Sequence, residues 1–463
     1  MNKMISLPGI ILIDDNQEQL DNINRAFIKI GLPCLPILYE NNPENESGIS
    51  HVELNNITPR IVITDLNLTE TTAVEVTNLV GPILLLIEQI NINGPYILIF
   101  WSKNKSLVDD VIKKVIERTS NKKTLPLCWG LLDKTELLDN QEALRSEIER
   151  ILNSNSLLNS LFNWENRIST AAQETINSLY ELTFPDDTEK DYADTHISKL
   201  QEVIALIANE SLGAKNADKF PSLAVDQGLL PVLSDRLQNL EISHIDWKES
   251  VPKIGRKVSV NDAMKAKLNT FYHIEMTDKE FPKDHRGIFL PISNTYISDE
   301  RNRAKMCSKL GVGNFSEILN TEFIDLDKVY SEGKQQLIDN IIIGFVELSA
   351  ECDHAQKKSK LHRYIISALI PDTLQEYCVF AKRNTRHDGI YRLPPIFINE
   401  QNHILKLSFK YQIGTIDKFQ IDEKSVNHKW FGDPFFRLRE QILSDISFKC
   451  SQYSSRPGIV SFY

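Results

Sequence analysis

Asp14, Asp15, Asp65, Ser102 and Lys134 are the residues of this chain whose types and order best fit a reaction centre. Each stands directly after, or at the end of, a short apolar run: GIILI (residues 9–13) before Asp14 and Asp15, RIVIT (60–64) before Asp65, YILIFW (96–101) before Ser102, and the run 125–132 shortly before Lys134. If those runs are parallel strands, their carboxyl ends share one edge of a sheet, where ligands bind in α/β proteins. Three carboxylates crowded there repel one another and require a cation. An all-oxygen donor set suits Mg²⁺, which keeps several of its waters. Asp65 could then act as a nucleophile toward a phosphoryl donor. Ser102 could hydrogen-bond a phosphoryl oxygen, and the Lys134 ammonium could pair with its charge.

A second constellation lies in VELSAECDHAQKKSK (346–360), where Cys352 and His354 follow an apolar run. A C-x-H spacing on a strand puts both side chains on one face. Cys352 could be a nucleophile with His354 or His387 as its base. Alternatively Cys352, His354 and Cys378 could bind Zn²⁺, with His362 or His387 as a fourth ligand. No paired CxxC accompanies them, and a buried structural cysteine beside a solvated histidine is the plainer explanation. Lys357, Lys358 and Lys360, with Lys382, Arg383, Arg386 and His387, form basic patches able to contact phosphates. Tyr391, Arg392, Trp430, Phe431, Phe435 and Phe436 could stack bases. Solvated loops and core aromatics account for the same residues.

The elements that must position these groups fall into three parts. Residues 1–136 alternate continuous apolar runs with amphipathic stretches, as in a doubly wound parallel sheet. Leu20, Ile23, Phe27 and Ile30 recur at helical spacing, as do Val108, Ile112 and Val115. Residues 137–250 read as helices, with an acidic break at FPDDTEKD (184–191), and suit a connector or dimerisation region. Residues 251–463 carry short apolar runs at 287–292, 341–348, 364–370 and 405–409, which predict an α+β, mostly-β domain. Near-helical spacing of Phe436, Leu438, Ile442, Leu443 and Ile446 predicts a closing helix over 430–447.

Residues 8–136 resemble the receiver domain of response regulators, on the strength of Asp14-Asp15, Asp65, Ser102 and Lys134 in that order. The resemblance implies a flavodoxin-like fold, a metal site formed by Asp14, Asp15 and Asp65, a phosphoacceptor at Asp65, a switch hydroxyl at Ser102 and a phosphate-binding lysine at Lys134. It also implies a histidine kinase as partner. The chain departs from the pattern in its long spacings, in Leu-Asn-Leu after Asp65, in Lys103 after the switch hydroxyl, in Leu131 at a common aromatic switch position and in Thr135 after the lysine. The strand followed by Cys352-Asp353 and a basic run resembles a segment of C-terminal domains in bacterial conflict or antiphage proteins. Together the resemblances imply a bacterial regulatory protein whose receiver-like domain controls a C-terminal effector or interaction module, in two-component or antiphage signalling with a defence-system partner. The alternatives are a cysteine- or metal-dependent hydrolase or nuclease, and a nucleic-acid-binding effector.

Bulk composition bounds these readings. The 463 residues carry 52 Lys and Arg against 63 Asp and Glu, a net charge of −11, which excludes a strongly basic nucleic-acid-coating protein. The charge is uneven: residues 1–136 carry 12 basic and 17 acidic groups, and residues 351–463 carry 17 and 12. Six unpaired-looking cysteines fit a reducing, cytoplasmic setting. No GxxxxGK[ST] loop, HExxH helix or GxSxG elbow occurs. The most apolar stretch, 79–90, contains Glu88 and is too short to span a bilayer. If the positive C-terminal patches bind nucleic acid, a mobility shift at low salt should weaken steeply as salt rises. Salt-insensitive binding, or none, counts against that use.

Overall fold

Consecutive apolar residues with no polar partner face make a strand that is buried on both sides. That is the state of β1 (Ile10–Asp14), β3 (Ile61–Thr64) and β4 (Ile97–Trp101), whose residues are buried almost throughout. With β2 (Leu35–Leu38) and β5 (Cys128–Leu132) they form a parallel sheet ordered β2-β1-β3-β4-β5. The computed structural model describes residues 9–41, 47–54, 58–69, 74–92, 94–137, 140–184, 192–239, 247–276, 281–326, 339–350, 353–354, 361–379, 389–416 and 428–455.

Alternate residues of each strand serve opposite cores. On one face Ile11, Ile13, Val62, Leu98 and Phe100 pack with α2 (Val76–Ile90) and α3 (Val108–Arg118). On the other, Leu12, Ile63, Ile99 and Trp101 pack with α1 (Gln17–Lys29) and with α5 (Gln141–Asn153), which follows the one-turn helix α4 (Lys134–Leu137). The α/β, doubly wound layering expected from the sequence is therefore present. One connection is unusual. Parallel strands of one sheet are usually joined through a helix, yet the described residues of the β2-to-β3 connection, which crosses β1, hold none. Glu40 and Gly48 form an isolated bridge there, and Tyr39 and Ile49 are buried in the core. This stretch supplies the long spacing between Asp15 and Asp65. Strand β2 lies at the sheet edge, is four residues long and exposes Pro36.

The chain divides into two compact units, residues 1–182 with 232–257, and residues 183–231 with 258–463. The helices expected over 137–250 are present and are shared between the units: α6 (Ser156–Leu182) in the first, α7 (Tyr192–Leu212) and α8 (Ala214–Lys219) in the second, and α9 (Pro221–Asn239) contributing to both. Most of the acidic break lies outside the described residues. The short helix α10 (Trp247–Ser250) belongs to the first unit and α11 (Asp262–His273) to the second. Among the described residues no helix is long and apolar enough to cross a membrane.

The second unit is built on an antiparallel sheet ordered β10-β12-β9-β8-β7-β13-β6, with β11 paired to β12. Its strands are β6 (Ile274–Met276), β7 (Ile288–Pro291), β8 (Ile342–Glu347), β9 (Leu361–Pro371), β10 (Ile390–Arg392), β11 (Ile396–Ile398), β12 (Gln401–Ile416) and β13 (Phe436–Leu438). Both faces are covered: Phe345 and Ile366 enter one core, and their neighbours Val346 and Ile365 enter the other. One expectation is corrected here. Residues 430–447 are not one helix, because Phe436–Leu438 pairs with β6 and β7 and the helix Glu440–Ser454 begins after it. Phe436 and Leu438 flank a polar Arg437, which is strand periodicity, and Pro434 lacks the N–H a helix interior needs.

Gly287 ties β7 to its neighbours. Its N–H donates to the Glu347 carbonyl at 3.0 Å, and its carbonyl accepts from Leu438 N–H at 2.9 Å. Its φ is +81°, and an added Cβ would stand 2.8 Å from the Leu438 carbonyl oxygen. Gly287→Ala should therefore lower stability by about 1–3 kcal/mol. Urea unfolding measures this; an unchanged midpoint would contradict the strain assigned to this position.

Candidate functional site

The strand order reverses at β1, whose two sheet neighbours β2 and β3 lie on opposite sides, and a crevice opens at the carboxyl ends of strands there. Asp14 closes β1 and Asp15 follows it, Asp65 follows β3, Ser102 follows β4, and Lys134 opens α4 after β5. The structure brings the acidic residues together: a carboxylate oxygen from each of Asp14, Asp15 and Asp65 lies within 4.8 Å of the others.

Lys134 joins them. Its Nζ donates to Asp14 Oδ2 at 3.0 Å, to Asp65 Oδ2 at 2.8 Å and to Gln19 Oε1 at 2.8 Å. All three ammonium protons thus have acceptors. The remaining oxygens of the two aspartates are held by the backbone. Asp14 Oδ1 accepts from Asn16 N–H at 3.0 Å, and Asp65 Oδ1 accepts from Leu66 N–H at 2.6 Å. Asn16 also caps α1 through its side chain, so the turn after β1 positions both Asp14 and the helix carrying Gln19.

Ser102 is buried. Its N–H donates to the Leu132 carbonyl at 3.1 Å, and its hydroxyl accepts from Asn104 N–H at 3.2 Å. The hydroxyl proton stays uncommitted among the described residues. Lys103 beside it is exposed.

Burial raises the Asp14 pKa above its ordinary 3.8. The Lys134 ammonium and the Asn16 N–H oppose the rise, and the Asp65 charge adds to it. Burial, with the Asp15 charge adding to it, also pushes the Tyr39 hydroxyl up. With all three carboxylates ionised, one ammonium leaves two negative charges uncompensated. The donor set is all oxygen, so it fits a hard divalent cation such as Mg²⁺.

The C-terminal candidates fare differently. Cys352, Lys357, Lys358, Lys360, Lys382, Arg383, Arg386 and His387 lie outside the described residues. His354 is described: its Nε2 accepts from the Arg286 backbone N–H at 3.1 Å, and its ring centre is 5.1 Å from that of His285. His362 Nδ1 is 3.4 Å from the buried Glu347 carboxylate. Cys378 is buried, which pushes its thiol up, and it lies near Lys406. Lys406 is opposite Ala368 on β9, six positions along the strand from His362, roughly 20 Å at about 3.4 Å per residue. His362 and Cys378 are therefore not brought together. Tyr391, Trp430 and Phe436 pack within the two cores rather than on one open face.

Compared with protein-family models and with curated proteins, the chain matches none.

Gln19 is the site residue that sequence reasoning missed. It lies in the first turn of α1, and its only signal was its place directly beyond the Asp14-Asp15 turn. Glu347, Ser349 and Arg286, buried near His362, were missed as well, because strand periodicity carries no sign of them.

The raised Asp14 pKa has a definite sign. A carboxyl that holds its proton more tightly when folded stabilises the fold at low pH, and that contribution is lost as pH rises from about 3.8 through the raised value. Asp14→Asn should flatten stability against pH in that window, as read from urea midpoints across it. An unaltered profile would show that Asp14 carries no such strain.

Proposed function

We propose that the first unit is a receiver-like signalling module that accepts a phosphoryl group on Asp65 and thereby controls the second unit. The observation that carries this reading is the Lys134 ammonium bonded to both Asp14 and Asp65 at the β1/β3 crevice of a β2-β1-β3-β4-β5 sheet. In the reaction, an Asp65 carboxylate oxygen attacks the phosphorus of a donor, and the leaving group departs with its bonding electron pair. Charge then builds where Lys134 already stands, and this ammonium can follow the new phosphoryl oxygens while Gln19 keeps hold of it. Ser102 can donate its free proton to one of those oxygens. Asp14, Asp15 and Asp65 would hold Mg²⁺, which supplies positive charge to the transferring phosphoryl oxygens. The partners that fit are a histidine kinase or a defence-system protein. On the sequence resemblance alone, the setting is bacterial two-component or antiphage signalling.

A second reading starts from Ser102, whose hydroxyl is buried and accepts from the Asn104 N–H. A domain whose switch hydroxyl is sequestered in this way would work by binding a partner without turnover.

Incubation with a small acyl phosphate and Mg²⁺ separates the two, read by intact mass. The first reading expects a single phosphoryl adduct that needs Mg²⁺ and disappears in Asp65→Asn. No adduct in the wild type, or one that persists in Asp65→Asn, overturns it.

A further inference from the structure

The second unit contains a cavity of about 640 Å³ away from any residue discussed above. That is within the range of about 300–1,000 Å³ typical of small-molecule sites. Ala263 at the start of α11, Pro371 and Asp372 at the end of β9, and the β11–β12 hairpin form its walls. The hairpin turn is tight, with Asn399 at φ 47° and Glu400 at φ 63° between the paired Ile398 and Gln401. Two left-handed residues in succession match the two-residue turn that suits the twist of antiparallel strands. The turn sets the exposed Glu400 at the lip.

The chemistry of the wall is one-sided. Asp372 and Glu400 contribute carboxylates, and the described lining residues include no Lys or Arg. Lys267 caps the Phe397 ring, its Nζ 4.8 Å from the ring centre, and is not part of the wall. His403 is 8% exposed, and its Nδ1–H donates to the Gln401 carbonyl at 3.2 Å. Burial lowers its pKa, so the ring is neutral and Nε2 carries the lone pair. Asp372 is half-buried and lines the cavity, whereas its Oδ1 and the Asn402 Oδ1 are turned away from accessible space and accept no hydrogen bond among the described residues. Among the described lining residues the wall therefore offers negative charge and an acceptor but no Lys or Arg. Among the described residues, the one group of three acidic, His or Cys side chains close enough to share a metal ion is Asp14, Asp15 and Asp65. Asp372, Glu400 and His403 therefore do not form such a group.

We propose that this cavity binds a small organic cation, a primary amine or guanidinium compound. Asp372 is the charged anchor through its accessible Oδ2, His403 Nε2 accepts a further donor, and Phe397 packs against the ligand's carbon chain. Glu400 draws the cation to the entrance. This site is independent of the Asp65 crevice, and a phosphorylation reading that fails leaves it standing.

The test is calorimetric titration of the full-length protein with agmatine, with putrescine and with uncharged erythritol at matched ionic strength. Saturable one-site binding of agmatine or putrescine, with none for erythritol, is expected. Asp372→Asn should weaken it by about tenfold or more, and Glu400→Gln by about threefold. Asp65→Asn should leave it unchanged. Glu400 is on an exposed turn, so its variant keeps the test decisive should Asp372→Asn fail to fold. Absence of saturable binding up to about 10 mM, equal binding of erythritol, or undiminished affinity in Glu400→Gln overturns the proposal.

Discussion

The Lys134 ammonium is the point on which the first unit turns. Three strands that are distant in sequence end in groups of opposite charge, and one cation holds those ends in register. Asp14 is fully buried, so its charge is tolerable only because Lys134 and the Asn16 N–H compensate it. Removing one partner from a buried pair leaves an unbalanced charge, which costs about 3–5 kcal/mol. The same arrangement keeps Asp65 oriented by two donors, Lys134 and the Leu66 N–H. Packing of the two helical layers sets the crevice, and this small polar cluster determines what the crevice can do.

The second unit solves a related problem with different partners. Arg286 is buried and donates to the Ser349 carbonyl at 3.0 Å, to Ser447 Oγ at 3.3 Å and to the Glu440 carboxylate. Lys406 is buried on β12 and donates to the carbonyls of Phe323 and Val379 at 3.0 and 2.9 Å. Burial pulls its pKa down to about 8. Glu322, at the π-helical turn Leu319–Phe323, accepts from Ser408 at 2.8 Å. These charged side chains tie connecting segments to the sheet where apolar contacts could not supply direction.

Much of this was legible in the sequence, for a physical reason. Runs such as GIILI and YILIFW have no polar face, and only a strand covered on both sides tolerates that. The acidic cluster followed, because parallel strands deliver their last residues to one edge. Strand β2 was not legible: it has four residues and Pro36 interrupts its donors. The three-residue strands β6, β10 and β11 are too short to show a period. Phe436 and Leu438 fit both a helix and a strand by spacing, and pairing with β6 and β7 decided between them. Gln19 and Glu347 are polar residues placed by tertiary approach, which local patterning does not encode.

Pro36 has a further effect at the rim of the first sheet. An outer strand normally offers a row of unpaired N–H groups on which another chain can build. Here that row is four residues long and lacks one donor at an exposed proline. Growth of the sheet by strand addition from another molecule is thereby obstructed at this rim, and the crevice-bearing domain is protected from one common route to aggregation.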